Sequence, residues 1–261
     1  MTNPQNAELR RRCELLRSLH RPGTPLLLPN VWDAATASAV VAAGFPVVAT
    51  TSGGVAATLG YEDHEGAPAG EMLAAAARIV RAVEVPVTVD AEAGYGIEPT
   101  DLVAALRTMG AAGCNLEDTD HRAGGIRATG RHANWLAAVR QAAVEADYPL
   151  VINARVDVFL GPLIAGAGAD VQGQLVPEAV ERGTAYLEAG ADCVYPIGLW
   201  EPDAMQRFIS QVGRPVNVIR LPQTPPVVEL AALGVARVSW GPFLHHDAMA
   251  RFVHQLASLR E

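Results

Sequence analysis

The sequence predicts a closed β/α barrel, and three observations carry that prediction. Eight short β-rich runs recur along the chain, with Ala-rich segments of helical spacing between them. Four connections, AAGFPVV, AAGCNL, EAGADCV and ALGVARV, repeat one local pattern in which a glycine closes a helix and a strand begins within a few residues. Finally, Pro29-Asn30-Val31-Trp32-Asp33 follows the first run where an open doubly wound sheet, the alternative fold, would place G-x-G-x-x-G. Strands with a helix on every connection must be parallel and covered, and eight such units close into a barrel.

In chain order, residues 1–22 read as an N-terminal helix and 23–261 as the barrel, together one domain. The runs are LLLPN (26–30), PVVATTS (46–52), PVTVDAE (86–92), GCNLED (113–118), LVINARVD (150–157), ADCVYPI (191–197), PVNVIR (215–220) and VARVSWG (235–241). Helices are expected over 71–83, 100–110, 133–146, 178–189 and 203–212, and Gly44, Gly113, Gly190 and Gly234 as left-handed caps. Barrel active sites gather at the C-terminal strand ends, which here carry Asn30, Asp33, Thr51, Ser52, Asp90, Glu92, Glu117, Asp118, Asn153, Arg155, Asp157, Asn217 and Ser239.

Composition narrows the chemistry. A formal net charge of -8 argues against nucleic acid and anionic membranes as partners. The polar start MTNPQNAELRRRCELLRSLH lacks the apolar stretch of a secretion signal, and the uncharged run 34–61 is broken by glycines and Pro46. Cys13, Cys114 and Cys193 lack metal-ligand spacing and read as reduced thiols of a cytoplasmic protein. All 20 basic residues are Arg, which excludes a lysine Schiff base, a pyridoxal phosphate linkage and a phosphate-loop lysine.

The stretch VDAEAGYG (89–96) sets Asp90 and Glu92 on one side of a strand, where like charges repel. With Asp63 and Glu117 they form a candidate cluster of four acids, each of which would alone read equally well as a helix cap or surface ion pair. Buried together they need a cation or protons, and a hard oxygen set without His or Cys favours Mg²⁺ or Mn²⁺. Arg155 is the strand-end cation in view, Gly94 and Gly96 allow a close turn, and Tyr95 would either donate a hydrogen bond or pack. His121, in a segment where Gly124-Gly125 would hinge a lid, reads either as an acid/base group or as an exposed loop histidine.

Taken in order, PNVWDAATASAVVAAGFPVVATTSGG, LGYEDHE, VDAEAGYG, NLEDTD, NARVDVF and the AGADCVYPIGL region resemble the isocitrate lyase and phosphoenolpyruvate mutase superfamily over most of the chain. The resemblance implies a β/α barrel whose last helix is exchanged between subunits of a homodimer or homotetramer. It implies Asp90 as direct metal ligand, with Asp63, Glu92 and Glu117 in the hydrated shell. Ser52, Gly53 and Gly54 would hold a substrate carboxylate or phosphonate, Arg155 its anionic end, and Asn217 would contact substrate.

Two departures from the family pattern bear on the reaction. The lysine- and cysteine-bearing loop typical of the lyases is replaced by EDTDHRAGGIRATGRHANW, and strand six ends in Tyr195-Pro196-Ile197 where many lyases carry glutamate. The expected activity is a Mg²⁺-dependent carbon–carbon lyase acting on a small 2-oxo or 2-hydroxy carboxylate through an enolate. Phosphorus–carbon mutase or hydrolase chemistry, or a catalytically idle barrel that binds a 2-oxo acid, are the alternatives.

Overall fold

A computed structural model describes residues 4–260; residues 1–3 and 261 of the expected N-terminal helix and barrel lie outside the described residues. Helix α1 (Pro4–Ser18) presents a stripe of Leu9, Cys13 and Leu16, all buried. It packs at the end where the strands begin, since a Cβ added at Gly113 would meet Leu16 Cδ2 at 2.8 Å.

Among the described residues nine parallel segments follow: β1 (Leu26–Leu28), β2 (Asn30–Val31), β3 (Val48–Thr50), β4 (Val87–Asp90), β5 (Gly113–Glu117), β6 (Val151–Val156), β7 (Cys193–Pro196), β8 (Asn217–Ile219) and β9 (Arg237–Ser239). They form two arcs, β2-β3-β4-β5-β6-β7 and β1-β9-β8. β1 and β2 are halves of the first expected strand, parted at Pro29, which has no N–H for the ladder. A parallel bridge between Val194 and Val216 joins the other ends of the arcs. Eight staves therefore close into a ring, as the sequence predicts.

The covering helices are α2 (Ala34–Ala42), α3 (Ser52–Leu59), α4 (Ala69–Arg81), α5 (Pro99–Met109), α6 (Thr129–Glu145), α7 (Leu160–Ile164), α8 (Ala169–Glu188), α9 (Pro202–Val212), α10 (Val227–Ala232) and α11 (Phe243–Ser258). β5 and β6 are buried along their whole length, as expected of strands covered on both faces. Among the described residues no helix is long and apolar enough to cross a membrane.

Two local expectations change. Helix α8 starts nine residues before the expected Glu178 and runs through Pro177. Proline removes the N–H that would bind the carbonyl four residues back, and Arg207 Nη2 donates to that carbonyl, Gly173 O, at 3.2 Å instead. Gly113 is not a helix cap: α5 ends at Gly110, φ 82°, while Gly113 opens β5 because a side chain there would strike α1 and the Val151 carbonyl. Gly44, Gly190 and Gly234 do take positive φ. The three thiols are free and buried, and burial pushes each up to about 12.

The barrel interior is unusually polar, since such interiors are normally filled by branched aliphatic side chains. Arg237 of β9 reaches across the lumen to β5, donating from Nη2 to Asn115 Oδ1 at 3.0 Å, and Asn153 Nδ2 donates to the same oxygen at 2.9 Å.

Candidate active site

A cavity of about 540 Å³ opens at the C-terminal ends of the strands. Its polar wall comes from Ser52 and Gly53 at the start of α3, Asp63 in the following loop, Asp90 ending β4, Asn115 of β5 and Arg155 of β6. Parallel pairing delivers this grouping, because Asp90 is the register partner of Asn115 and Glu117 that of Arg155. Asn30 braces the rim: its Nδ2 donates to Thr50 O, and its Oδ1 accepts from the N–H groups of Trp240 and Gly241, each at 2.8 Å. Asp33 plays no part, being the N-cap of α2 in a capping box with Thr36.

The four expected acids meet different partners. Asp90 N–H donates to Thr50 Oγ1, and Asp90 Oδ2 accepts from Ser52 N–H at 3.2 Å. Asp90 Oδ1 and Asp63 Oδ1 are buried with no hydrogen-bond partner among the described residues. Glu92 does not share a strand face with Asp90, because β4 ends at Asp90 and Glu92 turns at φ 48°. That turn sends its Oε1 to Glu65 N–H at 2.7 Å. Glu117 lies between Arg155 Nη1, which contacts Oε2, and His121 Nε2, 2.5 Å from Oε1.

Behind this row Arg155 donates to both oxygens of Asp157 at 2.7 Å. Asp157 also accepts from Thr119 Oγ1, and its N–H donates to Asp118 Oδ1 at 2.9 Å. Asp118 Oδ2 accepts from Tyr186 Oη at 2.6 Å and from Arg182 Nη1 at 3.2 Å. Asp118 and Asp157, two of the strand-end acids, are thus the buried frame that orients Arg155.

Electrostatics follow from this geometry. Burial, with the charges of Asp90, Asp63 and Glu117 adding to it, pushes Glu92 up to about 8 against the pull of Glu65 N–H. Burial likewise takes Glu117 up to about 7, opposed by Arg155 and His121. Asp90 rises too, by burial, with Arg155 opposing. Burial would raise Asp157, but Arg155 holds it below the usual carboxylate range. Burial depresses His121, yet the bond to Glu117 brings it above its ordinary value. An acid raised by folding stabilises least once ionised, so Glu92 costs stability as pH climbs from 4.5 toward 8 unless a cation compensates.

Among the described residues, no three His, Cys, Asp or Glu side chains converge to hold a metal ion. Direct coordination by Asp90, Glu92 and Glu117 together is therefore not what the fold presents, since Glu92 and Glu117 are committed to Glu65, His121 and Arg155. What fits is a hydrated ion, which needs only one or two carboxylates and keeps its waters. The unpartnered oxygens of Asp90 and Asp63, facing one cavity, suit it.

Other expected site residues are distributed as follows. Ser52 and Gly53 line the cavity, whereas Gly54 packs behind it, where a Cβ would meet Thr51 and Trp32 below 3 Å. Asn217 begins β8, at the far end from the mouth; it is fully buried, donates from Nδ2 to Ser239 Oγ at 3.3 Å, and does not line the cavity. Tyr95 and His121 line a smaller neighbouring cavity of about 260 Å³ with His64, Glu65 and Arg122. Tyr95 is buried, and its hydroxyl pKa is raised by that burial, by the charges of Glu92 and Asp90, and by a hydrogen bond to Glu92. Gly94 and Gly96 do turn at positive φ, but a Cβ on either would strike Trp135 or Arg122 and not a ligand.

Sequence reasoning passed over Asn115, His64 and Arg237. Asn115 had a signal, since it lies two residues before Glu117 and so on the same strand face. His64 adjoins Asp63, lines both cavities, and holds its ring 5.4 Å from that of His121.

A family profile described as phosphoenolpyruvate phosphomutase matches residues 16–260. An uncharacterised Mycobacterium tuberculosis protein is 34% identical over 224 residues, covering 85% of this chain and 80% of its own. The 2-methylisocitrate lyase of Escherichia coli is 29% identical over 80% of this chain and 73% of its own. A solved structure of a phosphonomutase candidate from Burkholderia cenocepacia superposes with a TM-score of 0.87 at 40% identity, covering 95% of this chain and 99% of the other.

Proposed function

The chain belongs to the phosphoenolpyruvate phosphomutase family, and on that footing we propose that it is a Mg²⁺- or Mn²⁺-dependent lyase that cleaves a carbon–carbon bond of a 2-oxo or 2-hydroxy carboxylate through an enolate. Its relatives include proteins named as lyases and as mutases. The observation that carries the reading is the pair of buried, unpartnered carboxylate oxygens, Asp90 Oδ1 and Asp63 Oδ1, at the barrel mouth.

Asp90 would hold the ion directly, with Asp63, Glu92 and Glu117 acting through its waters. Such an ion supplies the charge that polarises a bound carbonyl and stabilises an enolate oxygen. Arg155, clamped by Asp157 and Glu117, sets a fixed positive charge on the floor for a substrate carboxylate. The His121–Glu117 pair holds a proton one wall away, and His64 stands between that pair and the main cavity.

Carbon–carbon chemistry is preferred over phosphorus–carbon chemistry because a phosphonate dianion needs several strong donors. Among the described lining residues Arg155 is the only arginine, and two acids already engage it. The exposed apolar face of α11 supports a homodimer or homotetramer.

The test is calorimetric titration of the full chain with Mg²⁺ and then oxalate, a planar enolate mimic. Uptake of both, lost in Asp90→Asn, is expected, and absence of Mg²⁺ or Mn²⁺ uptake refutes the reading. Assaying candidate substrates for released pyruvate, oxalate or inorganic phosphate then separates the two chemistries, and oxalate binding without any turnover identifies an idle barrel.

A further inference from the structure

Among the described residues the buried apolar side chains fall into two clusters, and the smaller one lies apart from the main core. Tyr195, Ile219 and Leu221 are buried there, with Leu163, Ile197 and Trp200 packed against them. All but Trp200 line the main cavity, where Tyr195 of β7 adjoins Arg155 of β6 and Ile219 lies on β8, further round the ring from Asp90 and Asn115. The site therefore has a charged end and a hydrocarbon end.

Helix α7 explains how the second end is built. It is five residues long, follows β6 closely, and buries none of its own residues, so it contributes little to the core. Its Leu160, Leu163 and Ile164 all line the cavity, and Ile164 is 76% exposed. An apolar patch kept beside a polar site marks a place where something apolar is bound. The floor of that patch is Tyr195 and Ile197, side chains that bring hydrocarbon and no charge to the end of β7.

Size points the same way. At about 540 Å³ the cavity falls in the range that encloses drug-sized ligands, well beyond what a three- or four-carbon acid fills. We propose that the substrate is a 2-oxo or 2-hydroxy carboxylate bearing a hydrocarbon substituent of roughly butyl size or larger, seated against Leu163, Ile197, Ile219 and Leu221. This rests on the reading of the polar end as the carboxylate site.

The test uses oxamate, a planar 2-oxo acid whose unsubstituted amide nitrogen can be alkylated, together with its N-methyl, N-propyl, N-butyl and N-cyclohexyl derivatives. Each is titrated into the full chain with Mg²⁺ present. Affinity is expected to rise about threefold to fourfold per methylene until the wall is filled. Ile197→Asp should abolish that gain, and Leu163→Ala, at a half-buried position of α7 packed on the apolar cluster, should reduce it. N-alkyl oxamates that bind no tighter than oxamate overturn the substituent while leaving the proposed function standing. Failure of oxamate and every derivative to bind overturns both.

Discussion

Arg237 Nη2 donates to Asn115 Oδ1 at 3.0 Å from the opposite side of the barrel. A guanidinium has no acceptor, so this contact settles which end of the Asn115 amide is oxygen. Asn153 Nδ2 reaches the same atom, and the Asn115 nitrogen is left to the cavity beside Asp90. Asn115→Asp keeps the acceptor for Arg237 but removes the donor facing the ligand. Oxalate affinity in the presence of Mg²⁺ should fall roughly 10- to 100-fold, the worth of one hydrogen bond to a charged group. Unchanged affinity by calorimetry would mean that this amide touches no ligand.

Asp118 is fully buried and accepts from Tyr186, Arg182 and the Asp157 N–H at once. Asp118→Ala strands the Tyr186 hydroxyl and the Asp157 N–H and takes one acceptor from Arg182, which keeps Glu178 and Arg127 O, and should destabilise by about 3–5 kcal/mol. That corresponds to a fall in melting temperature of roughly 10 °C by calorimetry. Asp118→Asn retains one carbonyl acceptor and should lose less. Equal stability of all three proteins would remove Asp118 from the frame that orients Arg155.

His132 lies buried between Trp135 and Tyr186, and neither ring nitrogen has a partner among the described residues. Burial, followed by the charge of Arg127, lowers its pKa from 6.5 to about 3. The folded state thus resists a proton that the unfolded chain accepts. Stability is complete above pH 6.5 and drains away as pH falls toward 3. His132→Phe should be nearly neutral at pH 7 and more stable than wild type by about 2 kcal/mol at pH 5. Denaturant unfolding at the two pH values gives the answer, and an identical difference at both would contradict the assignment.

Helix α11 is exposed at every residue from His246 to Arg260, and Met249, Phe252, Val253 and Leu256 share one face of it at helical spacing. A stripe of that kind left in water marks an association surface, and a second copy of the chain is the occupant that the family resemblance implies. Sedimentation should find a dimer or tetramer for the wild type and a smaller species for Phe252→Asp/Leu256→Asp. A wild type that sediments as a monomer would reject the assembly.

Alternation of strand and helix was legible from the sequence because period and glycine punctuation are local: each run needs only its own neighbours to declare itself. The same holds for the acids at the strand ends, since barrel geometry sends those positions to the mouth wherever they occur. Helix α8 shows the limit, for Pro177 looks like a stop until Arg207, thirty residues on, takes the orphaned carbonyl. Gly113 and Gly110 are equally indistinguishable until α1 is seen lying against β5.

The partnering of the acids was beyond the sequence for a related reason. Glu92 and Glu117 are spent on Glu65, His121 and Arg155, while Asp90 and Asp63 keep free oxygens, and those choices depend on loops and strands remote in the chain. The residue types and their order settled the architecture and the family. Tertiary structure alone decided which carboxylates stay available, which amide lines the cavity and where the apolar wall stands, because each is a contact between segments whose separation along the chain carries no information about their distance in space.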